Sequence, residues 1–367
     1  MKYRLWQLDV LRCLAVLLVM FRHLDAPPVQ YASLYSIRTM LATGGWIGVD
    51  LFFVLSGFLV SGLIFNEYKS RGRFAAGRFL IRRGLKIYPA FWVLIACTLG
   101  MKSLTNTNLS ASGIVHELLF IQNYLPGLWN HTWSLAVEEH FYLVLTAVCF
   151  FIFSVSRSSS RIKSLPVLCV LVMLGCLLLR LSTNGAFSHY NNTFPTHLRV
   201  DSLMFGVLIS YGFHFTQWLN AFNRPNVRRC ALVIGVAMIV PFFYYKLGRT
   251  DWIHTYGFSV LYVAFGLILL SAKFSPAKPN AIGRLMAKIG VYSYSIYLWH
   301  LAADDWGPQI FSLIVQRPPV WWEYGVGYFA GSVILGIIMA KLIEQPVLAL
   351  RDRLWPSVRS HGDSANA

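Results

Sequence analysis

The stretch Leu8-Asp-Val-Leu-Arg-Cys-Leu-Ala-Val-Leu-Leu-Val-Met-Phe-Arg-His-Leu24 decides how this chain is read. It has the apolar character of a membrane-crossing helix, yet it carries Asp9, Arg12 and His23. Arg12 and His23 are eleven residues apart, and eleven steps of roughly 100° return a helix to within about 20° of its starting direction. The two side chains therefore share one face, about 16 Å apart along the axis. Asp9, three residues before Arg12, lies on the same face. Ionisable groups at membrane depth cost about 2.5 kcal/mol or more each and face a protein interior or a water path. This helix is expected to line a polar interior. Arg12 interrupts the apolar run and Ala26-Pro27-Pro28 makes a poor cleavage site, so the segment is read as a retained helix and not a signal peptide.

Around this segment, the 367-residue chain is 56% hydrophobic and 13% charged, against roughly 25% charged for soluble domains. Ten apolar spans are expected, near 8–26, 44–65, 86–103, 132–154, 165–183, 198–216, 230–247, 255–272, 290–308 and 325–345. An even number of crossings puts both termini on one side. That side, counting the inner ends of the spans, holds 24 of the 32 basic residues, and the positive-inside rule makes it the cytoplasm. The net charge of +17 is thus mainly an orientation signal, and a nucleic-acid partner is excluded. The fold class is all-α, a polytopic integral membrane protein of about ten transmembrane helices with both termini cytoplasmic. Residues 1–350 form the membrane domain; residues 351–367 form a cytoplasmic tail, polar and disordered from Ser357 onward. The basic inner loop 66–85 has apolar spacing from Arg73 onward that fits an amphipathic helix leading into the third span. All six cysteines fall in or beside spans and none forms a C-x-x-C pair, so neither a disulfide framework nor a metal site is expected.

The polar residues of the spans fall on two levels. The outer level holds His23, Asp50, Glu138, Glu139, Arg199, Asp201 and His300; the inner level holds Asp9, Arg12, Arg82, Arg83 and Lys86. Histidine among carboxylates suits proton abstraction, and clustered Arg and Lys suit phosphate. Taken alone, Arg82, Arg83 and Lys86 read as topology determinants. Their spacing argues for more than that, because Arg82 and Lys86 are i and i+4, face the same way and could grip one phosphate group. Gly57, seven residues after Asp50 and on its face, allows another helix to approach closely. Ser134, Glu138 and Tyr142 form a polar stripe at i, i+4 and i+8, a pattern that taken alone is more often interior packing than catalysis, and His23 as a partner raises the catalytic reading.

These residues sit in segments that together resemble one family. Leu8-Asp9-Val-Leu-Arg12 followed by His23, Gly48-Val-Asp-Leu-Phe-Phe-Val-Leu-Ser-Gly-Phe-Leu59 and Phe79-Leu-Ile-Arg-Arg-Gly-Leu-Lys-Ile-Tyr-Pro89 come first. Trp133-Ser-Leu-Ala-Val-Glu-Glu-His-Phe-Tyr142, Arg199-Val-Asp-Ser-Leu-Met-Phe-Gly206 and Tyr294-Ser-Ile-Tyr-Leu-Trp-His300 follow in order. The chain resembles the membrane acyltransferase 3 family, part of the transmembrane acyl transferase superfamily, over about residues 5–350. Lys86 departs from the arginine frequent there, and lysine meets phosphate as a point charge without a fork.

The resemblance implies an O-acyltransferase of the bacterial cytoplasmic membrane. It would move an acyl group, commonly acetyl, from acetyl-CoA or another acyl-CoA to a hydroxyl of an envelope or secreted glycan or a glycoside. In that reading His23 is the catalytic base, with Asp50 or Glu138 orienting or stabilising it. Arg12, Arg82, Arg83 and Lys86 bind the CoA donor, and Glu139, Arg199, Asp201 and His300 contact the acceptor. Direct transfer and a transient acyl-His23 both remain open. The rival class is a carrier or flippase for a lipid-linked saccharide, which would use the same polar interior without making or breaking a bond.

Overall fold

A computed structural model describes residues 5–105, 110–154, 161–183 and 187–356. Every regular element among the described residues is helical. In chain order the α-helices are α1 (Trp6–His23), α2 (Ala32–Gly44), α3 (Gly48–Arg71), α4 (Ala76–Leu104), α5 (Ala111–Leu118), α6 (Trp133–Ser154), α7 (Ser164–Ser182) and α8 (His189–Asn192). They continue with α9 (Thr196–Phe215), α10 (Pro225–Ile239), α11 (Phe258–Lys273), α12 (Ala281–Val291), α13 (Ser293–Val315), α14 (Trp321–Met339) and α15 (Gln345–Leu354).

Seven helical segments among the described residues are long and apolar enough to cross a membrane: Ala32–Arg71, Ala76–Leu104, Asn130–Phe153, Ser164–Ser182, Pro225–Phe243, Ile253–Lys273 and Trp321–Leu354. The other three expected spans correspond to α1, α9 and α13, which are helical too. These three carry Asp9 and Arg12, Arg199 and Asp201, and His300 with Asp304, respectively. The helices with the weakest apolar signal are the ones that hold much of the candidate chemistry.

Two boundaries differ from the sequence reading. The inner loop expected at 66–85 shrinks to residues 72–75, because α3 runs on to Arg71 and α4 begins at Ala76. The basic amphipathic stretch is the first turns of α4 itself and is continuous with the apolar part. Pro89 sits inside α4, where its missing N–H leaves the Leu85 carbonyl without its helical donor. Of the expected tail, residues 351–354 end α15, and Ser357 onward lies outside the described residues.

The chain forms two compact units. The first comprises Met1–Phe52 and Phe222–Leu342; the second comprises Phe53–Ala221 and Ile343–Ala367. In the first, α1 packs on α12, α10 on α11 and α13 on α14. In the second, α7 packs on α9, α4 on α6 and on α15, and α6 on α9. Side-chain caps set two starts: the Asn280 side chain accepts the Gly283 N–H at 2.7 Å ahead of α12, and Ser110 accepts the Gly113 N–H at 3.1 Å ahead of α5.

The close approach expected at Gly57 is made by α9. A β-carbon on Gly57 would lie 2.0 Å from the Leu203 carbonyl oxygen, and one on Gly206 would lie 2.4 Å from the Val54 oxygen. Two glycines, one from each helix, let these backbones touch, as small residues do between membrane helices. Replacing Gly206 by Val is expected to force α3 and α9 apart and to cost about 1–3 kcal/mol. A thermal melt of the detergent-solubilised protein that matches wild type would refute this.

Candidate functional site

In the first unit, His23 is the last residue of α1 and remains partly exposed. Its ring lies 5.3 Å, centroid to centroid, from the ring of His300 on α13. His300 is fully buried, and its Nδ1 is 2.6 Å from the Tyr297 carbonyl oxygen. A carbonyl only accepts, so Nδ1 carries the hydrogen, and Nε2 holds the lone pair when the ring is neutral. Tyr297 packs against His300 at 5.6 Å and against Phe52 at 5.8 Å. Asp50, in the first turn of α3, is fully buried. Gly48 brings that turn onto α1: its β-carbon would lie 2.4 Å from the Ala15 carbonyl oxygen and 3.0 Å from the Leu18 Cβ. Toward the other end of α1, Arg12 donates to Asp9 at 3.1 Å, and Asp9 is 3% exposed. The stripe read from sequence thus divides into an ion-paired end at Asp9 and Arg12 and a histidine end at His23.

The second unit gathers residues that the sequence placed on different levels. Tyr142, one turn beyond Glu138 on α6, donates its hydroxyl to Glu138 Oε2 at 2.6 Å. Ser56 of α3 meets the same hydroxyl at 2.7 Å. Arg83 of α4 lies over the Tyr142 ring at 5.3 Å, and the charges of Arg83 and Lys86 both act on Glu138. Beside them Tyr88 donates to Glu139 Oε2 at 2.8 Å. A cationic patch and a carboxylate pair therefore share one site between α4 and α6. The Ser134, Glu138 and Tyr142 stripe signalled Tyr142. Nothing in sequence pointed to Ser56 or Tyr88, which arrive from other helices.

Arg82 is held differently. Its guanidinium pairs with Asp352 of α15 at 2.9 Å and also donates to the Trp355 carbonyl oxygen. Any phosphate contact by Arg82 has to compete with that carboxylate, which is half-exposed and so binds weakly.

Arg199 and Asp201, neighbours in sequence, have separate surroundings. The Arg199 guanidinium lies over the rings of Trp133 and Phe53 at 5.3 and 5.7 Å and donates to the Thr193 carbonyl at 3.2 Å. Asp201 pairs with Arg180 of α7 at 2.7 Å, with neither side chain exposed. Arg180 also donates to the Leu198 carbonyl at 2.6 Å. Nothing in sequence pointed to Arg180 as the partner of Asp201. Among the described residues, no group of three or more His, Cys, Asp or Glu side chains is placed to hold a metal ion.

A family model described as an acyltransferase domain matches residues 5–341. The chain belongs to the acyltransferase 3 family. With seven apolar helices of spanning length, this family member is a multi-pass membrane protein. It is 27% identical over 324 residues to O-acetyltransferase OatA of Staphylococcus aureus strain NCTC 8325 / PS 47, covering 80% of this chain and 49% of that protein. OatA of Staphylococcus aureus strain COL matches with the same identity and coverage. The chain spans about half the length of the curated relatives it matches. No solved structure matches.

Outside the spans, one carboxyl organises the segment between α4 and α6. Glu117 of α5 accepts the Leu128 and Trp129 N–H groups at 3.0 and 3.1 Å and the Thr132 hydroxyl at 2.9 Å, all on Oε1. Burial pushes its pKa from an ordinary 4.5 up to about 7, against the lowering effect of those hydrogen bonds. The folded protein therefore holds a proton that the unfolded chain releases between these two values, so stability falls as pH rises through that window and levels off above it. Arg180→Ala is expected to destabilise by about 3–5 kcal/mol, because it strands the buried Asp201 charge; an unchanged melting temperature would contradict the pairing. From pH 5 to 7, wild type should lose up to about 1.4 kcal/mol per pH unit relative to Glu117→Gln. Parallel melting curves for the two proteins across that range would contradict the Glu117 assignment.

Proposed function

We propose that this protein is a membrane O-acyltransferase that moves an acyl group, acetyl, from cytoplasmic acetyl-CoA to a hydroxyl of an envelope or secreted glycan or glycoside. Membership of the acyltransferase 3 family carries the reading; the O-acetyltransferase names of the relatives support it. The residues present fit the roles required. His23, partly exposed at a helix end beside a second histidine, is suited to take the proton of an acceptor hydroxyl. Such a base contributes about 10²–10⁴-fold. Asp50, of the same unit, is proposed to orient or stabilise it, with Glu138 the alternative read from sequence.

Arg83 and Lys86, with Arg82 once it releases Asp352, are proposed to supply positive charge for the CoA phosphates, and the sequence reading adds Arg12. Of these, Arg83 and Lys86 already act on one carboxylate, Glu138. Glu139, Arg199, Asp201 and His300 are the groups proposed to contact the acceptor. Asp201 would act there through Arg180, since its carboxylate is already paired. CoA, when bound, supplies the activated thioester; the protein positions it and handles the proton.

Acceptor-dependent release of free thiol from acetyl-CoA separates a transferase from a carrier of lipid-linked saccharide, which releases none. His23→Ala is expected to reduce that release by about 10²–10⁴-fold while the protein still folds and inserts; wild-type rates in this variant would remove His23 from the mechanism. The double variant Arg82→Ala, Arg83→Ala should raise the KM for acetyl-CoA by about tenfold and leave the acceptor KM unchanged. Unaltered donor affinity would remove both arginines from the donor site.

A further inference from the structure

The first unit contains a cavity of about 540 Å³ bounded by the His23 end of α1, by α2 and by the first half of α14. Its volume lies within the range of small-molecule sites. All of its lining residues are uncharged except Asp25 and Arg38, and the two meet at Leu24, where α1 ends. Asp25 follows His23 by two residues, and the Arg38 Nε donates to the Leu24 carbonyl at 2.6 Å. Away from that end the wall is hydrocarbon and aromatic. The helices around it present apolar side chains outward: Leu34 and Ile37 of α2 are 49% and 52% exposed, and Val326 of α14 is 63% exposed. Tyr31 packs against the lining Trp321 at 5.2 Å with the rings tilted by 42°, the kind of amphipathic ring pair found at the headgroup level of a bilayer.

A cavity with one polar end and an apolar remainder matches an amphiphile. The polar end offers a cationic donor and an anionic acceptor together, which suits an uncharged, hydroxyl-rich head better than a phosphate. The apolar part is too large for the group transferred. At roughly 30 Å³ per water, the cavity has room for about eighteen, far beyond an acetyl group. A wall with apolar side chains this exposed would admit a long chain from a surrounding bilayer.

We propose that this cavity seats the hydrocarbon chain of a lipid-borne acceptor, a glycolipid whose sugar head lies at Asp25 and Arg38, beside the end of α1 that carries His23. The assignment rests on the acyl-transfer reading and names the acceptor class for it: saccharide carried on a single long chain, and not a free soluble sugar. Gly325 is the natural point at which to close the cavity. It lines the wall, and a β-carbon there meets only the Leu24 Cδ1, at an ordinary 3.7 Å.

The test uses the full chain in nanodiscs and a hexadecyl glucoside carrying a diazirine in mid-chain. Irradiation is expected to attach the probe to peptides covering residues 34–41 and 321–330. Gly325→Leu and, separately, Val326→Trp should each lower that labelling by about tenfold, since displacing two buried methylenes from a site is enough for such a loss. Excess unlabelled hexadecyl glucoside should displace the probe, and palmitoyl-CoA should not. Labelling spread evenly over other helices overturns the proposal, and so does labelling unchanged in both variants. Displacement by palmitoyl-CoA alone would overturn it too, by making the cavity a donor-acyl pocket. Labelling needs no turnover, so its failure is distinguishable from failure of the transferase reading, which appears as absent thiol release.

Discussion

Ionisable side chains carried on apolar helices have to find partners inside the protein, because neither lipid nor a hydrocarbon core solvates them. The rest of this structure is arranged around that requirement. Arg180 and Asp201 meet it in its strictest form, two fully buried charges 2.7 Å apart joining α7 to α9. Asp9 and Arg12 meet it locally, one turn apart on α1. Glu138 and Glu139 meet it through tyrosine hydroxyls from α6 and α4 and through the nearby charges of Arg83 and Lys86.

Those pairings require helices that approach closely. The Gly57 and Gly206 crossing brings α3 and α9 into backbone contact, and the same α9 carries Arg199 and Asp201. Gly48 acts in the same way against α1, seating the first turn of α3 and its buried Asp50. The polar residues thus sit on helices whose positions are set by small-residue contacts. A side chain added at such a contact displaces charges as well as packing. Where polar residues are not consumed by pairing, chemistry is available. His23 stands at a helix end, partly exposed, with a ring partner whose tautomer is set by a backbone carbonyl.

Much of this is legible in the amino-acid order. The apolar runs mark the helices, the Arg12 and His23 spacing marks α1 as a lining helix, and Gly57 marks a close crossing. The extent of some elements is not legible there. The amphipathic helix expected from Arg73 onward is the start of α4. Charged and polar residues at 66–71, by contrast, look like a loop by composition, yet α3 continues through them, and Glu67 there pairs with Arg78 of α4. In the second unit, residues assigned to the two levels also come within reach of one another. Arg83 is long enough to reach Tyr142, which lies one turn further along α6 than Glu138. Side-chain reach of that kind depends on how α4 packs against α6, and no one-dimensional spacing encodes it.

Properties of single helices follow from the residues alone: apolar length, the face on which Asp9, Arg12 and His23 lie, the i, i+4 stripe of Glu138 and Tyr142, and the motifs by which the chain resembles its family. Periodicity fixes these, since 3.6 residues per turn sets which side chains share a face. The partners emerge only when the helices pack: His300 for His23, Arg180 for Asp201, Tyr88 for Glu139, Asp352 for Arg82, and the apolar cavity beside α1. Each joins residues from different helices, and their meeting depends on which backbones can touch and which buried charges must be neutralised.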